Sequence, residues 1–438
     1  MYWPLGVVFK PIRVQIELLE HIIHSNIMDH LEKHKILNDI QHGFRQKRSC
    51  ESQLITTIDD FSNALNSKGQ IDSILLDFSK AFDKVDHQGL LLKLNEYGIS
   101  EELKQWIKCF LLGRTQTVIV EGIESDRLPV LSGVPQGTVL GPLLFLIYIN
   151  DIDKELSQGT TLRLFADDSF LYRQINNEED KAILQKDLDS LQIWEKKWKM
   201  EFHPDKCQVL KITNKRNPIA TDYFIHDKFL NETKQAKYLG AIIDSKLQWI
   251  EQNKAMCNKA NRTLGFLKRN TSSCPKAIKE VCYKTLVKPI LEYGSSVWDP
   301  HRKNQIEKIE KVQKNAARYV TNNYLFISGQ TEVNMKRLGW QTLQDNRIRN
   351  RITTLYKGIN GLIEIPMNQY PLKQSRVHTR QSGYQVFNIP PSNVDSHLYS
   401  FFPNTLRHWN KLPTSIKLIN GVETFKVALK HTALTNVP

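Results

Sequence analysis

The chain has 438 residues, 40% of them hydrophobic and 24% charged, with a formal net charge of +14. That balance is ordinary for a globular protein of two or three domains, and no apolar run approaches the length needed to span a bilayer. The start, Met1–Lys10, lacks the charged-then-apolar order of a signal peptide, and six cysteines without C-x-x-C spacing exclude a zinc knuckle and a disulfide framework.

Taken in chain order, residues 14–36 predict an amphipathic helix, with Ile16, Leu19, Ile22, Ile23, Ile27 and Leu31 at helical spacing. A polar, basic stretch, Gln41–Ser49, precedes a second helix. Ile71–Phe78 reads as a short apolar strand that ends on an acid, Asp77. Helices follow at 87–96 and 101–112, then a strand pair near 116–121 and 126–131. The turn-forming loop Ser132-Gly133-Val134-Pro135-Gln136-Gly137 leads into an apolar helix that runs to about Asn150. A hairpin over 162–172, a helix over 179–199, a strand at 208–213 and a second hairpin at 238–243 complete this part. The order predicts an α+β fold, a small sheet packed on helices in the ferredoxin-like manner.

Charge divides the chain. Between Glu251 and Asn360 there are 21 Lys and Arg against 8 Asp and Glu, so nearly the whole positive excess sits in one helical segment. A localised basic excess is the footprint of a polyanion-binding surface, or else a set of solvated helix faces. In one of its helices Ile306, Ile309, Val312 and Ala316 form an apolar stripe, leaving Lys303, Lys308, Lys311 and Lys314 to face solvent or phosphate. Trp298, Trp340 and Trp409 are candidates for stacking on bases or for core packing.

Phe165-Ala166-Asp167-Asp168, between alternating apolar residues, is the most informative stretch. Adjacent carboxylates repel, and Asp is a poor strand former, so the pair burdens a fold unless a cation neutralises it. Mg²⁺ binds through one or two carboxylates plus substrate phosphates. Asp77 supplies a third acid if its strand pairs with the hairpin, and three acids are enough to hold two cations about 3.5–4 Å apart.

These stretches resemble the reverse transcriptases of non-LTR retrotransposons. Leu76–His87 is similar to their first catalytic motif, Ser132–Pro142 to the second and Phe165–Asp168 to the third; Gln41–Arg45 resembles a fingers motif, Trp198–Lys206 the motif after the hairpin, and Tyr238-Leu239-Gly240 the primer-grip region. Val287–Gly294, and Phe401–Pro403 with His408–Pro413, resemble the tail of jockey-like elements. The resemblance implies a right-hand polymerase: partial fingers over 1–70, a palm over 71–245 within a reverse transcriptase domain of about 10–245, a basic helical thumb over 246–360, and a C-terminal extension over 361–438.

It also implies roles. Asp77, Asp167 and the backbone carbonyl of Phe78 are expected to ligate Mg²⁺, with Mn²⁺ as a substitute, and Asp168 to support them. Phe82 is expected under the sugar, where a ring excludes a 2′-hydroxyl; its alternative is an ordinary core position. Gln136 lines the nucleotide pocket. Arg45 and Arg48 meet the triphosphate, Arg being suited to bidentate phosphate contacts, or else lie on the surface. Lys206 approaches the pyrophosphate, Arg114 touches template, and Tyr238, Leu239 and Gly240 touch the primer–template. Asp83 and Asp86 are read as capping or supporting groups.

The expected partners are an RNA template, a DNA primer and dNTPs, with no membrane; nuclear action is implied by the resemblance alone, and the oligomeric state is not legible. No endonuclease, ribonuclease H or Cys/His knuckle pattern is present. An Arg-Pro-Ile strand motif survives only as Phe9-Lys10-Pro11-Ile12-Arg13, so the chain reads as an N-terminally truncated element. The rival readings are a catalytically silent nucleic-acid-binding remnant and an intron maturase-like enzyme.

Overall fold

The computed structural model describes residues 9–325, 327, 329–372 and 386–432. The apolar start at Met1–Val8 lies outside them. Separate stretches of chain assemble into two units: the first from residues up to Ser49, Asp72–Val209 and Ile219–Thr233, the second from Cys50–Ile71, Leu210–Pro218 and Lys234 onward. The architecture mixes helix and sheet, and no described helix is long and apolar enough to cross a membrane.

A five-stranded sheet organises the first unit. Its strands are β1 (Gln70–Leu76), β2 (Thr160–Phe165), β3 (Asp168–Gln174), β4 (Gln208–Thr213) and β5 (Asn231–Thr233), in the order β5-β4-β1-β3-β2. β1 and β4 enter this unit with Asp72–Leu76 and Gln208–Val209. β2 and β3 form the predicted antiparallel hairpin, closed by the pair Phe165↔Asp168.

The helix Leu140–Ile149 is apolar on every side and buried from end to end, as a helix without a polar face must be. Around it pack Leu90 and Leu94, Ile107 and Leu111, Leu184, Leu188 and Leu191. Asp86 caps the helix His87–Glu96 by accepting a hydrogen bond from Gly89 N. Lys93, fully buried on that helix, pairs with Asp151 and stands 3.7 Å from the centre of the Trp198 ring. A buried ammonium needs such partners.

Some expectations shift. Phe9–Arg13, implied to belong to a strand, begins the helix Phe9–Lys33 instead. Only Ile23, Ile27 and Leu31 of that helix's apolar series face the core, while Ile16, Leu19 and Ile22 stay exposed. The strand pair after residue 115 shrinks to two tiny ladders, Thr115–Gln116 with Leu128–Pro129 and Ile119–Val120 with Ile123–Glu124. A hairpin joining Phe224–Ile225 to Lys228–Phe229 has no counterpart in the sequence reading. Its turn residues His226 and Asp227 both take positive φ, without the glycine that announces such a turn.

Helices dominate the second unit. Lys303–Thr321 buries Ile309, Val312 and Ala316 and exposes Lys303, Lys308 and Lys311. Trp298 and Trp409 are fully buried, and Trp340 stacks on Tyr283 at 4.4 Å. Asp299 lies between two buried guanidiniums, those of Arg347 at 2.8 Å and Arg351 at 3.9 Å. The C-terminal stretch folds onto the helix Cys50–Asn66. Tyr370 donates its hydroxyl to Asp59 at 2.7 and 2.9 Å and stacks on Phe402, while Asn393 N donates to Asn66 Oδ1 at 2.6 Å.

Burial pushes the Asp59 carboxyl up to about 7, with the charge of Asp60 adding to the effect. A carboxyl with a raised folded-state pKa binds its proton more tightly in the fold, so stability falls as pH rises from the ordinary carboxylate range to about 7. Thermal melts between pH 5 and 8 are expected to lose stability in the wild type. The loss should be smaller in Asp59→Asn, by on the order of 2 kcal/mol.

Candidate active site

Asp77 follows the last residue of β1, and β3, which opens on Asp168, is the neighbouring strand. Strand adjacency thus brings the third acid toward the Ala166–Asp167 turn. Asp77 O accepts a hydrogen bond from His203 N at 2.8 Å, Ser79 N donates to Glu201 O at 2.8 Å, and Phe78 bridges to Phe202 with their rings stacked at 4.4 Å. The motif after the hairpin is therefore laid against the first motif by backbone bonds.

The second motif is tied to the first as well. Gly133 N donates to Val85 O at 2.8 Å, Val134 N to Phe82 O at 2.9 Å, and Ser132 Oγ to Asp83 O at 2.8 Å. A Cβ on Gly133 would stand 2.8 Å from Asp83 backbone atoms, and its φ is +87°. Only glycine permits this approach. Gln136 is exposed and donates to Asp83 Oδ1 at 3.1 Å.

Phe82 is half-buried and stacks on Phe145 at 4.4 Å. Arg114 donates to Leu111 O at 2.8 Å and to Gly133 O at 2.7 Å, so its guanidinium braces the loop. Arg45 is buried on Glu32 at 2.9 Å, and Arg48 pairs with Asp39 at 2.7 Å. Their charges are spent inside the unit rather than on an open pocket. Tyr238, Leu239 and Gly240 belong to the second unit, where Leu239 and Gly240 form a two-residue turn with φ of +44° and +82°. Tyr293 donates its hydroxyl to Leu239 O at 2.8 Å, and its ring covers Gly240.

Electrostatics single out Asp167 and Asp168. Burial raises the Asp167 pKa, and the charge of Asp77 raises it further. The Asp168 pKa is raised by desolvation in the surrounding protein and then by Asp167 and Asp77, although part of its side chain reaches solvent. Asp77 Oδ2 is buried and accepts no hydrogen bond among the described residues; the Lys206 ammonium lies 3.1 Å from it. No group of three or more His, Cys, Asp or Glu side chains among the described residues is gathered closely enough to hold a metal ion. The donor set nonetheless suits a hard cation: oxygen atoms only and an excess of negative charge.

A family model described as reverse transcriptase (RNA-dependent DNA polymerase) matches residues 10–243. The chain belongs to the reverse transcriptase family. Among its relatives is a probable RNA-directed DNA polymerase from transposon BS of Drosophila melanogaster, 29% identical over 72% of this chain and 36% of that protein. The RNA-directed DNA polymerase from mobile element jockey of Drosophila funebris is 31% identical over 70% of this chain and 34% of that one. This reverse transcriptase chain therefore spans about a third of the length of the curated relatives it matches. Telomerase from Candida albicans, solved in complex with the TWJ fragment of telomeric RNA, aligns over 80% of this chain and 58% of its own, at 13% identity and a TM-score of 0.38. Membership of the family implies a right-hand polymerase fold and dependence on a divalent metal.

Gln41 opens the fingers motif, and nothing in the sequence assigns it a role. Its amide hydrogen-bonds the acidic turn at both Ala166 N and Ala166 O. The signal lay in the Gln-x-Gly spacing, since glycine in a motif marks a close backbone approach.

The raised carboxylates imply a stability cost of the charged site. Asp168→Asn in EDTA is expected to raise the melting temperature at pH 8, because it removes one of the like charges that disfavour the ionised fold. Differential scanning calorimetry of the two proteins checks it, and an unchanged or lower temperature refutes it.

Proposed function

We propose that this chain is an RNA-directed DNA polymerase that adds deoxynucleotides from dNTPs to a primer 3′-hydroxyl on an RNA template. Family membership supports the reading. The observation that carries it is the placement of Asp77 and the Asp167–Asp168 turn at the ends of adjacent strands, where their charges already interact.

Asp77, Asp167 and the Phe78 carbonyl are the groups that would hold Mg²⁺, or Mn²⁺ in its place, with Asp168 in support. When bound, such an ion acidifies the attacking hydroxyl and neutralises phosphate charge. The protein's own contribution is positioning. Phe82, backed by Phe145, sits beneath the sugar and disfavours a 2′-hydroxyl. Gln136, exposed on a loop tied to residues 82–85, lines the nucleotide pocket. Lys206, 3.1 Å from Asp77, is placed to donate toward the leaving pyrophosphate.

In this reading the catalytic palm spans 71–245, residues 1–70 contribute to the fingers, and the basic helices of 246–360 form a thumb that grips primer–template phosphates. Residues 361–438 form a C-terminal extension. Tyr238–Gly240 act at the primer grip. Phosphate contacts of the thumb make affinity fall steeply with salt.

Primer extension on an RNA template with dNTPs and Mg²⁺ tests the proposal. Asp77→Asn and Asp167→Asn are each expected to reduce synthesis by at least about 10³-fold while leaving nucleic-acid affinity within about twofold. Extension retained by either variant refutes the site assignment. A wild-type chain that binds RNA in a salt-sensitive way but extends nothing is instead a silent nucleic-acid-binding remnant.

A further inference from the structure

We infer that Gln41 is a positioning residue for the acidic turn: its side-chain amide holds the peptide that precedes Asp167 and so fixes where the carboxylates stand. This rests on the polymerase reading above.

Gln41 is only 3% exposed. Its Oε1 accepts hydrogen bonds from Ala166 N at 2.9 Å and from Gly43 N at 2.7 Å, and its Nε2 donates to Ala166 O at 3.3 Å. Two N–H donors converging on one amide atom identify that atom as the oxygen. Ala166 has a φ of +54°, a conformation that costs an L-residue energy and persists only where its surroundings over-determine it. Its N–H and C=O sit in a two-residue turn, outside the β2–β3 ladder, and buried backbone groups need partners. Glutamine meets both with one neutral side chain. A carboxylate there would add another negative charge beside Asp77, Asp167 and Asp168.

The backbone beneath this contact is seated as closely. A Cβ on Gly43 would lie 2.4 Å from Ala166 N and 3.1 Å from the carbonyl carbon of Phe165. Gln41 pairs with Leu164 in a parallel bridge, His42 N donates to Leu164 O at 2.8 Å, and Leu164 N donates to Ile40 O at 2.9 Å. Arg45 donates to Asn38 O at 2.7 Å, and Arg48 donates to Asp39 O at 2.7 Å and to Gln41 O at 3.0 Å. The two arginines thus stiffen the segment that presents Gln41 to the turn.

The test uses the full chain with three variants and two readouts. Gln41→Met keeps the shape without the acceptor, Gln41→Glu keeps the acceptor oxygens, and Gly43→Ala drives a methyl group against Ala166 N and to 3.0 Å from Gln41 Oε1. Amide hydrogen exchange over Leu164–Asp168 reads the turn directly. Single-turnover dNTP titrations and primer–template binding separate rate from affinity. For Gln41→Met, exchange over Leu164–Asp168 is expected to quicken at least about tenfold, with the buried helix Leu140–Ile149 unchanged. The maximal rate should fall about 10- to 100-fold, and the dNTP and primer–template constants should stay within about twofold. Gly43→Ala should share this signature, and Gln41→Glu, which keeps the acceptor for Ala166 N but adds a charge beside the three acids, should recover the turn's protection more than the rate. Unchanged exchange at the turn overturns the inference, as does loss of protection at full rate. So does quickened exchange throughout the unit, with activity falling only as the folded fraction falls. A wild-type chain that extends no primer refutes the polymerase reading instead, and the exchange data then decide alone whether Gln41 holds the turn.

Discussion

Like-charge repulsion among Asp77, Asp167 and Asp168 is the constraint on which the arrangement of the first unit depends. Two of these acids are neighbours in sequence and the third ends the adjacent strand, so the sheet itself brings the charges together. Burial raises the pKa values of Asp167 and Asp168, and the neighbouring carboxylates raise them further. Nothing in the hydrophobic core requires this. A cluster that lowers stability in its charged form suits the cation-binding role proposed above.

Much of what holds the acids in place is backbone and amide contact rather than counter-charge. Backbone bonds tie residues 201–203 to 77–79, and the glycine loop to 82–85. Gln41 fixes the turn through an uncharged amide, and Arg114 braces the loop from a carbonyl. Arg45 and Arg48 are paired with Glu32 and Asp39, so their charge is already balanced. Lys206 is the cation nearest to Asp77 among these neighbours, on an exposed and flexible side chain that is able to move away. Backbone and amide supports, with Lys206 as an exposed cation beside Asp77, suit the cation-binding role proposed above.

Much of this was legible in the chain. The strand ending on Asp77, the acidic hairpin and the buried helix after the glycine loop follow from apolar alternation, turn chemistry and composition, which are local properties; the turn falls at Ala166–Asp167, one residue before the Asp167–Asp168 tip that the sequence suggests. The short hairpin at 224–229 was not legible, because His226 and Asp227 adopt positive φ without glycine. Nor was the fate of the arginines. An Arg beside a glycine motif reads equally well as a phosphate ligand or a brace, and only the position of Glu32, thirteen residues away on another element, decides that Arg45 is buried and paired.

The sequence by itself determined most element types, the basic helical segment and the family, since periodicity, charge counts and motif order are all written along one dimension. Tertiary structure alone decided that the helix Cys50–Asn66 joins the same unit as the C-terminal stretch, that Gln41 grips Ala166 across 125 residues, and that Trp298 and Trp409 are core. Contacts between distant residues depend on which surfaces are left to pair once each element has formed. That choice is made by packing and by the need to satisfy buried polar groups, and no local pattern records it.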